Sequence, residues 1–68
     1  MSPKYAPARE DGKKPYVVTI MDWGKTRDRI GWGKTVADAK YDAAGRSRPG
    51  MHVSRARRAT PEDMETIR

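Results

Sequence analysis

Cysteine is absent from this chain of 68 residues, phenylalanine is absent too, and histidine occurs once, at His52. Without cysteine there is neither a disulfide nor a thiolate to serve as nucleophile or soft metal ligand. A single imidazole among scattered carboxylates cannot assemble a tetrahedral zinc set. The two staples that commonly hold small domains together are thereby excluded, and neither a metal nor a cofactor is expected. Catalysis loses its usual players as well. No carboxylate pair has a spacing that demands acid–base work, and Asp38 and Asp42, at i and i+4 astride Lys40, read as a solvated helix face. An enzyme is not expected.

Acidic residues are in the minority: nine Asp and Glu against fifteen Lys and Arg leave a formal charge of +6 and a pI of about 10.1. Long apolar runs are missing. No stretch approaches the roughly 20 apolar residues of a membrane span, and the opening MSPKYAPAREDGKKP lacks the apolar segment of a secretory leader. The sequence therefore reads as cytoplasmic, with no membrane partner. Only 35% of its residues are hydrophobic and its mean hydropathy is −1.00. The apolar gain of so small a chain must nearly cancel an ordering cost of about 1.5 kcal/mol per residue, which leaves a partner as the remaining source of stability. A homodimer, or burial against a larger assembly, is the natural candidate.

What the sequence does contain is organised in two parts. Residues 1–15 hold three of the five prolines, several charges and no apolar periodicity, the composition of a flexible basic arm. Residues 16–68 form a single small domain. YVVTIMDW, from Tyr16, is β-branched and aromatic, bounded by Pro15 and Gly24, and reads as a strand. GKTRD reads as a turn and RIGWG as a second short strand. A loop joining Trp23 to Asp28 would pair Asp22 with Arg29 and Met21 with Ile30. One face of this hairpin then carries Val17, Thr19, Met21, Trp23, Ile30 and Trp32; the other carries Tyr16, Val18 and Ile20 opposite Gly31 and Gly33.

After Gly33 the period changes to about 3.6. Thr35 with Asp38 resembles a capping box, VADAKYDAA is a helix turning Val36, Ala39, Ala43 and, at its border, Tyr41 and Ala44 inward, and Gly45 ends it. MHVSRARRA is a third strand, with Met51 and Val53 on one side and His52, Ser54 and Ala56 on the other. Thr60-Pro61-Glu62-Asp63 opens a short second helix through a cap, a proline at the first helical position and an acidic first turn. That helix survives only if Met64 and Ile67 dock. The fold class is α+β: a small three-stranded sheet built from a β-hairpin, a helix and a third strand, with one helix on one face and a short C-terminal helix. Trp32 is expected inside, holding the alanine-rich helix to the sheet. The Tyr16, Val18 and Ile20 face is left for the terminal helix or a second molecule.

Trp-Gly-Lys-Thr occurs twice, at 23–26 and 32–35. Gly33-Lys34-Thr35 after a strand is the end of a phosphate-loop motif, but the first glycine of G-x-x-x-x-G-K-[ST] would fall on Asp28, and for the earlier copy on Thr19. Neither is a nucleotide loop. GWGKTVADAKYDAA, residues 31–44, resembles the second-helix segment of double-stranded RNA-binding domains in Gly31, Gly33, Thr35, Ala39, Lys40, Ala43 and Ala44. That resemblance implies binding of A-form duplex by shape and phosphate contacts. The sequence departs from the family in having no helix before the hairpin, Val36-Ala37 where the family has paired lysines, and a further strand afterwards.

The strongest signal is basic. Arg46, Arg48, Arg55, Arg57 and Arg58 lie with His52 in a segment without a carboxylate, and arginine is the residue suited to bidentate phosphate or carboxylate contact. On a strand Arg55 and Arg57 share a face and Arg58 takes the other. With Lys25, Arg27, Arg29 and Lys34 in support, the expected function is non-catalytic: contact with nucleic acid or a nucleoprotein complex. The competing reading is a protein-targeted inhibitor or regulator of the kind phages and mobile elements make, an anti-CRISPR or anti-host-enzyme protein docking on an acidic protein surface. Trp23, beside the turn amid cations, would then be its aromatic anchor.

Overall fold

The computed structural model describes residues 4–45 and 49–67. β1 (Lys14–Asp22) and β2 (Lys25–Gly33) form the hairpin, α1 (Val36–Ala44) follows, β3 (Met51–Arg58) completes the sheet and α2 (Pro61–Thr66) ends the chain's regular structure. The sheet order is β2-β1-β3, with both pairings antiparallel. β2 and β3 therefore run parallel to one another on either side of β1, and α1 is the crossover connection that joins them across it. The most apolar strand is the central one, which has a neighbour on each edge and is buried over most of its length.

The turn is tighter than the sequence suggests. Asp22 pairs with Lys25 and Met21 with Thr26, so GKTRD is not a loop and only Trp23 and Gly24 lie between the strands. Both have positive φ, 50° at Trp23 and 80° at Gly24, the combination that a two-residue type I′ hairpin requires. Asn-Gly is its usual spelling; a tryptophan in the first position hides the signal. The partner shift is even, so the two face sets expected from the sequence are preserved.

The helix, however, covers the other face. The core is Tyr16, Val18 and Ile20 of β1 with Ala39 and Ala43 of α1, and Ala44, Met51, Val53 and Ala56 pack at its margin. Trp32 does not hold α1 to the sheet; it lies half-buried on the opposite face. The reason is backbone proximity. A Cβ at Gly31 would collide with the Ala39 carbonyl and lie 3.0 Å from the Ala43 methyl, and one at Gly33 would lie 2.7 Å from Asp38 Cβ. An alanine-faced helix seats against a glycine-faced strand, which leaves no room for an indole. Val36 and Tyr41, expected inward, are exposed, since the buried side chains of the helix in this close seat are Ala39 and Ala43.

A bulge corrects the third strand. Thr19 pairs with Arg55 but Ile20 with Val53, so Ser54 is the extra residue. The bulge moves Ala56 onto the core side with Met51 and Val53, leaving His52, Arg55 and Arg57 on the second face. The caps follow the expected logic, as a full capping box at α2 and, at α1, as the Thr35 half alone. Thr35 Oγ1 accepts the Asp38 N–H at 3.2 Å and Gly45, at φ 68°, closes α1. Thr60 and Asp63 form a reciprocal capping box on α2. Met64 and Ile67 are half-buried, and no residue of α2 is fully buried.

β1 begins at Lys14, two residues earlier than the sequence boundary, and the segment before it lies against the fold. The Ala6 N–H donates to the Ala59 carbonyl at 2.9 Å and the Ala59 N–H to Pro15 at 3.0 Å. Ala6 is buried, and the Arg9 guanidinium stacks 4.6 Å from the Trp32 ring. The second sheet face is thus divided. Near Pro15 it meets the arm; toward the turn it presents Thr19, Met21, Thr26, Asp28, His52 and Arg55.

Candidate functional site

The basic residues singled out by the sequence fall into three groups. Arg46 and Arg48 lie outside the described residues. Arg57 and Arg58 are used by the fold itself. Arg57 donates from Nη1 to Asp63 Oδ2 at 2.7 Å and from Nη2 to Oδ1 at 3.1 Å, a bidentate pair that ties α2 to β3. That hydrogen bond above all, with the Thr60 backbone N–H behind it, holds the Asp63 carboxyl far below the usual carboxylate range, and the Arg57 guanidinium is pushed up in return. Arg58 points to the core side. Its guanidinium stands 5.0 Å from the Tyr5 ring and 5.9 Å from the Tyr16 ring, and Nη2 donates to the Ala6 carbonyl at 3.2 Å. It is a clamp on the N-terminal segment, half-buried, and its Nε has no hydrogen-bond partner in the structure.

The third group remains exposed. Arg55 stands on the open part of the second face opposite Thr19. Lys25, Arg27 and Arg29 occupy alternate positions of the edge strand β2, opposite Asp22, Ile20 and Val18. They continue the row that Gly31 and Gly33 begin: the helix covers the glycine end and the three cations emerge beyond it. Successive members are roughly 7 Å apart along an antiparallel strand. Among the described residues none of the three forms an ion pair or a side-chain hydrogen bond. Lys34 is exposed at the β2–α1 junction, where it lines a shallow pocket with Lys13, Trp32, Asp38, Tyr41 and Asp42. Two of those residues are carboxylates, which tempers the pocket's positive field.

Trp23 is the most exposed large hydrophobic side chain described, at 76%. The Trp23 backbone N–H donates to the Gly50 carbonyl at 3.0 Å. A Cβ at Gly50 would lie 2.6 Å from Cδ2 and 2.8 Å from Cζ2, so the Gly50 backbone rests on the indole at its fused bond. One ring face is supported and the other is open. A bulky residue in the left-handed region is an outlier, and this one stands at the start of the Lys25-Arg27-Arg29 row. The sequence placed Trp23 beside a turn; the conformation that presents it depends on pairing between Asp22 and Lys25.

Among the described residues, no group of three or more His, Cys, Asp or Glu could hold a metal ion and no helix is long and apolar enough to cross a membrane. Asp42 has a structural task, accepting the Trp32 backbone N–H at 2.9 Å on the outer edge of β2. Asp11 likewise serves its own turn: the Lys13 backbone N–H, with the charges of Arg9 and Lys13, holds its carboxyl below the ordinary value. The element order, with α1 between the second and third strands and no helix preceding β1 among the described residues, also parts from the double-stranded RNA-binding arrangement. No protein-family model matches the chain, and no curated protein or solved structure is significantly similar to it.

Proposed function

We propose that this protein is a non-catalytic basic binding module that contacts the phosphates of nucleic acid, alone or within a nucleoprotein complex, at the hairpin end of its sheet. The observation that carries the reading is the row Lys25, Arg27 and Arg29, three cations on one face of one strand with no carboxylate partner among the described residues. Unpaired cations in a line do little for the stability of the fold, and they leave their counterions free to be replaced by phosphates. Arg55 adds charge from the second face. Arg57 and Arg58 are withdrawn from the contact set, because Asp63 and the tyrosines already occupy them.

Titration of labelled nucleic acid at two salt concentrations tests the reading. Affinity should fall steeply with salt, and Arg27→Ala with Arg29→Ala should flatten the log–log slope by about 0.7–0.9 per residue removed. No binding at low salt would overturn the proposal. The reading as a protein-targeted inhibitor draws on the exposed Trp23, which an aromatic anchor would require. It becomes the better account if nucleic acid fails to bind while an acidic protein surface binds with little salt dependence.

A further inference from the structure

Trp23 and the basic row are two observations with a common geometry, and together they discriminate among nucleic acids. We infer that the hairpin end binds single-stranded nucleic acid, with one base stacked on the open face of Trp23 and the following backbone tracking Lys25, Arg27 and Arg29. This rests on the nucleic-acid reading above and narrows it to a strand type.

Three features converge on it. The indole is exposed yet supported: the Gly50 backbone lies against one face, and the Trp23 backbone N–H, bonded to the Gly50 carbonyl at 3.0 Å, fixes the main chain that carries the ring. A ring held on one side and open on the other is a platform for a planar partner, and every unpaired base has such a face whereas a duplex offers one only at its ends. The row then leads away from the platform in a straight line, because it is one extended strand. A single-stranded backbone can extend along it, while the phosphates of a duplex follow a fixed helical arc. Finally, the conformation is costly at the residue that matters. Position 23 has φ 50°, where Asn or Gly is the favoured choice in a type I′ turn. Placing a tryptophan there works against the hairpin and in favour of presenting the ring at its tip.

The test uses the full chain with a labelled oligothymidylate, a duplex of equal length and inorganic polyphosphate. Single strand should bind more tightly than duplex and quench tryptophan emission. Trp23→Asn keeps the turn, and should weaken oligothymidylate binding roughly ten- to a hundredfold while leaving polyphosphate binding unchanged. Trp23→Phe should restore most of the loss. Thermal melting of the Asn variant, expected at or above that of the parent, excludes misfolding as the cause. Equal oligothymidylate binding by the parent and Trp23→Asn would overturn the stacking inference and leave the phosphate-binding reading standing. So would tighter binding of duplex than of single strand. Failure of every nucleic-acid probe at low salt would overturn both.

Discussion

Two glycines and a tryptophan carry more of this structure than their side-chain chemistry suggests. Gly31 is needed for space: a methyl group there meets the Ala39 carbonyl, a backbone atom that cannot rotate away. Gly31→Ala should therefore destabilise by about 3 kcal/mol, at the upper end of overpacking costs, read as a lower urea midpoint with an unchanged slope. Gly50 is needed both for its φ of 80° and for the indole resting on it. Trp23 is the reverse case, a residue the turn would be better without. Left-handed backbone costs an ordinary L-residue roughly 1–2 kcal/mol, and Trp23→Asn should recover up to about 1 kcal/mol of it, the lost contact with Gly50 offsetting the rest. An unchanged or lower urea midpoint would show that the ring stabilises the turn it occupies.

At the scale of elements, α2 illustrates how six residues persist as a helix. It has no fully buried side chain, so its order depends on the capping box and on the Arg57–Asp63 pair. Asp63 serves both, accepting from Arg57 and from the Thr60 N–H. Its carboxyl is held below the unfolded value of about 3.9, so the stabilisation is fully present above that pH and is lost as pH falls through the depressed folded value. Arg57 is 59% exposed and solvent screens the pair, so the effect belongs to α2 and not to the whole fold. Amide shifts of residues 62–66 should move toward coil on acidification below pH about 4 while those of β1 persist; Asp63→Asn should show the same change at neutral pH. Loss of β1 protection at the same pH would mean that α2 and the sheet unfold as one unit.

At the scale of the whole molecule, the two ends of the sheet differ in what their side chains do within the fold, and the proposed binding surface lies at one of them. β1 spans nine residues, roughly 27 Å, and the structural clamps lie at its beginning: Arg9 on Trp32, Arg58 between Tyr5 and Tyr16, Ala6 bonded to Ala59. The unpaired cations and Trp23 lie toward its end. Mutations at the first end should change stability and those at the second should change binding. Arg9→Ala tests the division: it should make Trp32 emission more accessible to acrylamide and lower the melting temperature, with nucleic-acid affinity reduced by no more than one lost distant charge. An Arg9→Ala loss as large as that of Arg27→Ala would place the arm within the binding surface.

Much of this fold was legible because its signals are local. The β-branched run from Tyr16, the threonine caps at Thr35 and Thr60, the proline opening α2 and Gly45 closing α1 act over a few residues; both helices form where those signals place them, and β1 starts two residues early. The face sets of the hairpin also survive, since side-chain alternation does not depend on the length of the turn. Tertiary structure decided the rest. Which face α1 covers was settled by how closely Ala39 approaches Gly31. Which arginines the fold engages was settled by Asp63, Tyr5 and the Ala6 carbonyl, groups separated in sequence from the residues they bind. A basic sequence states how much positive charge there is; only the assembled chain determines how much of it the fold itself neutralises or stacks away, because ion pairing and burial depend on neighbours brought together by packing.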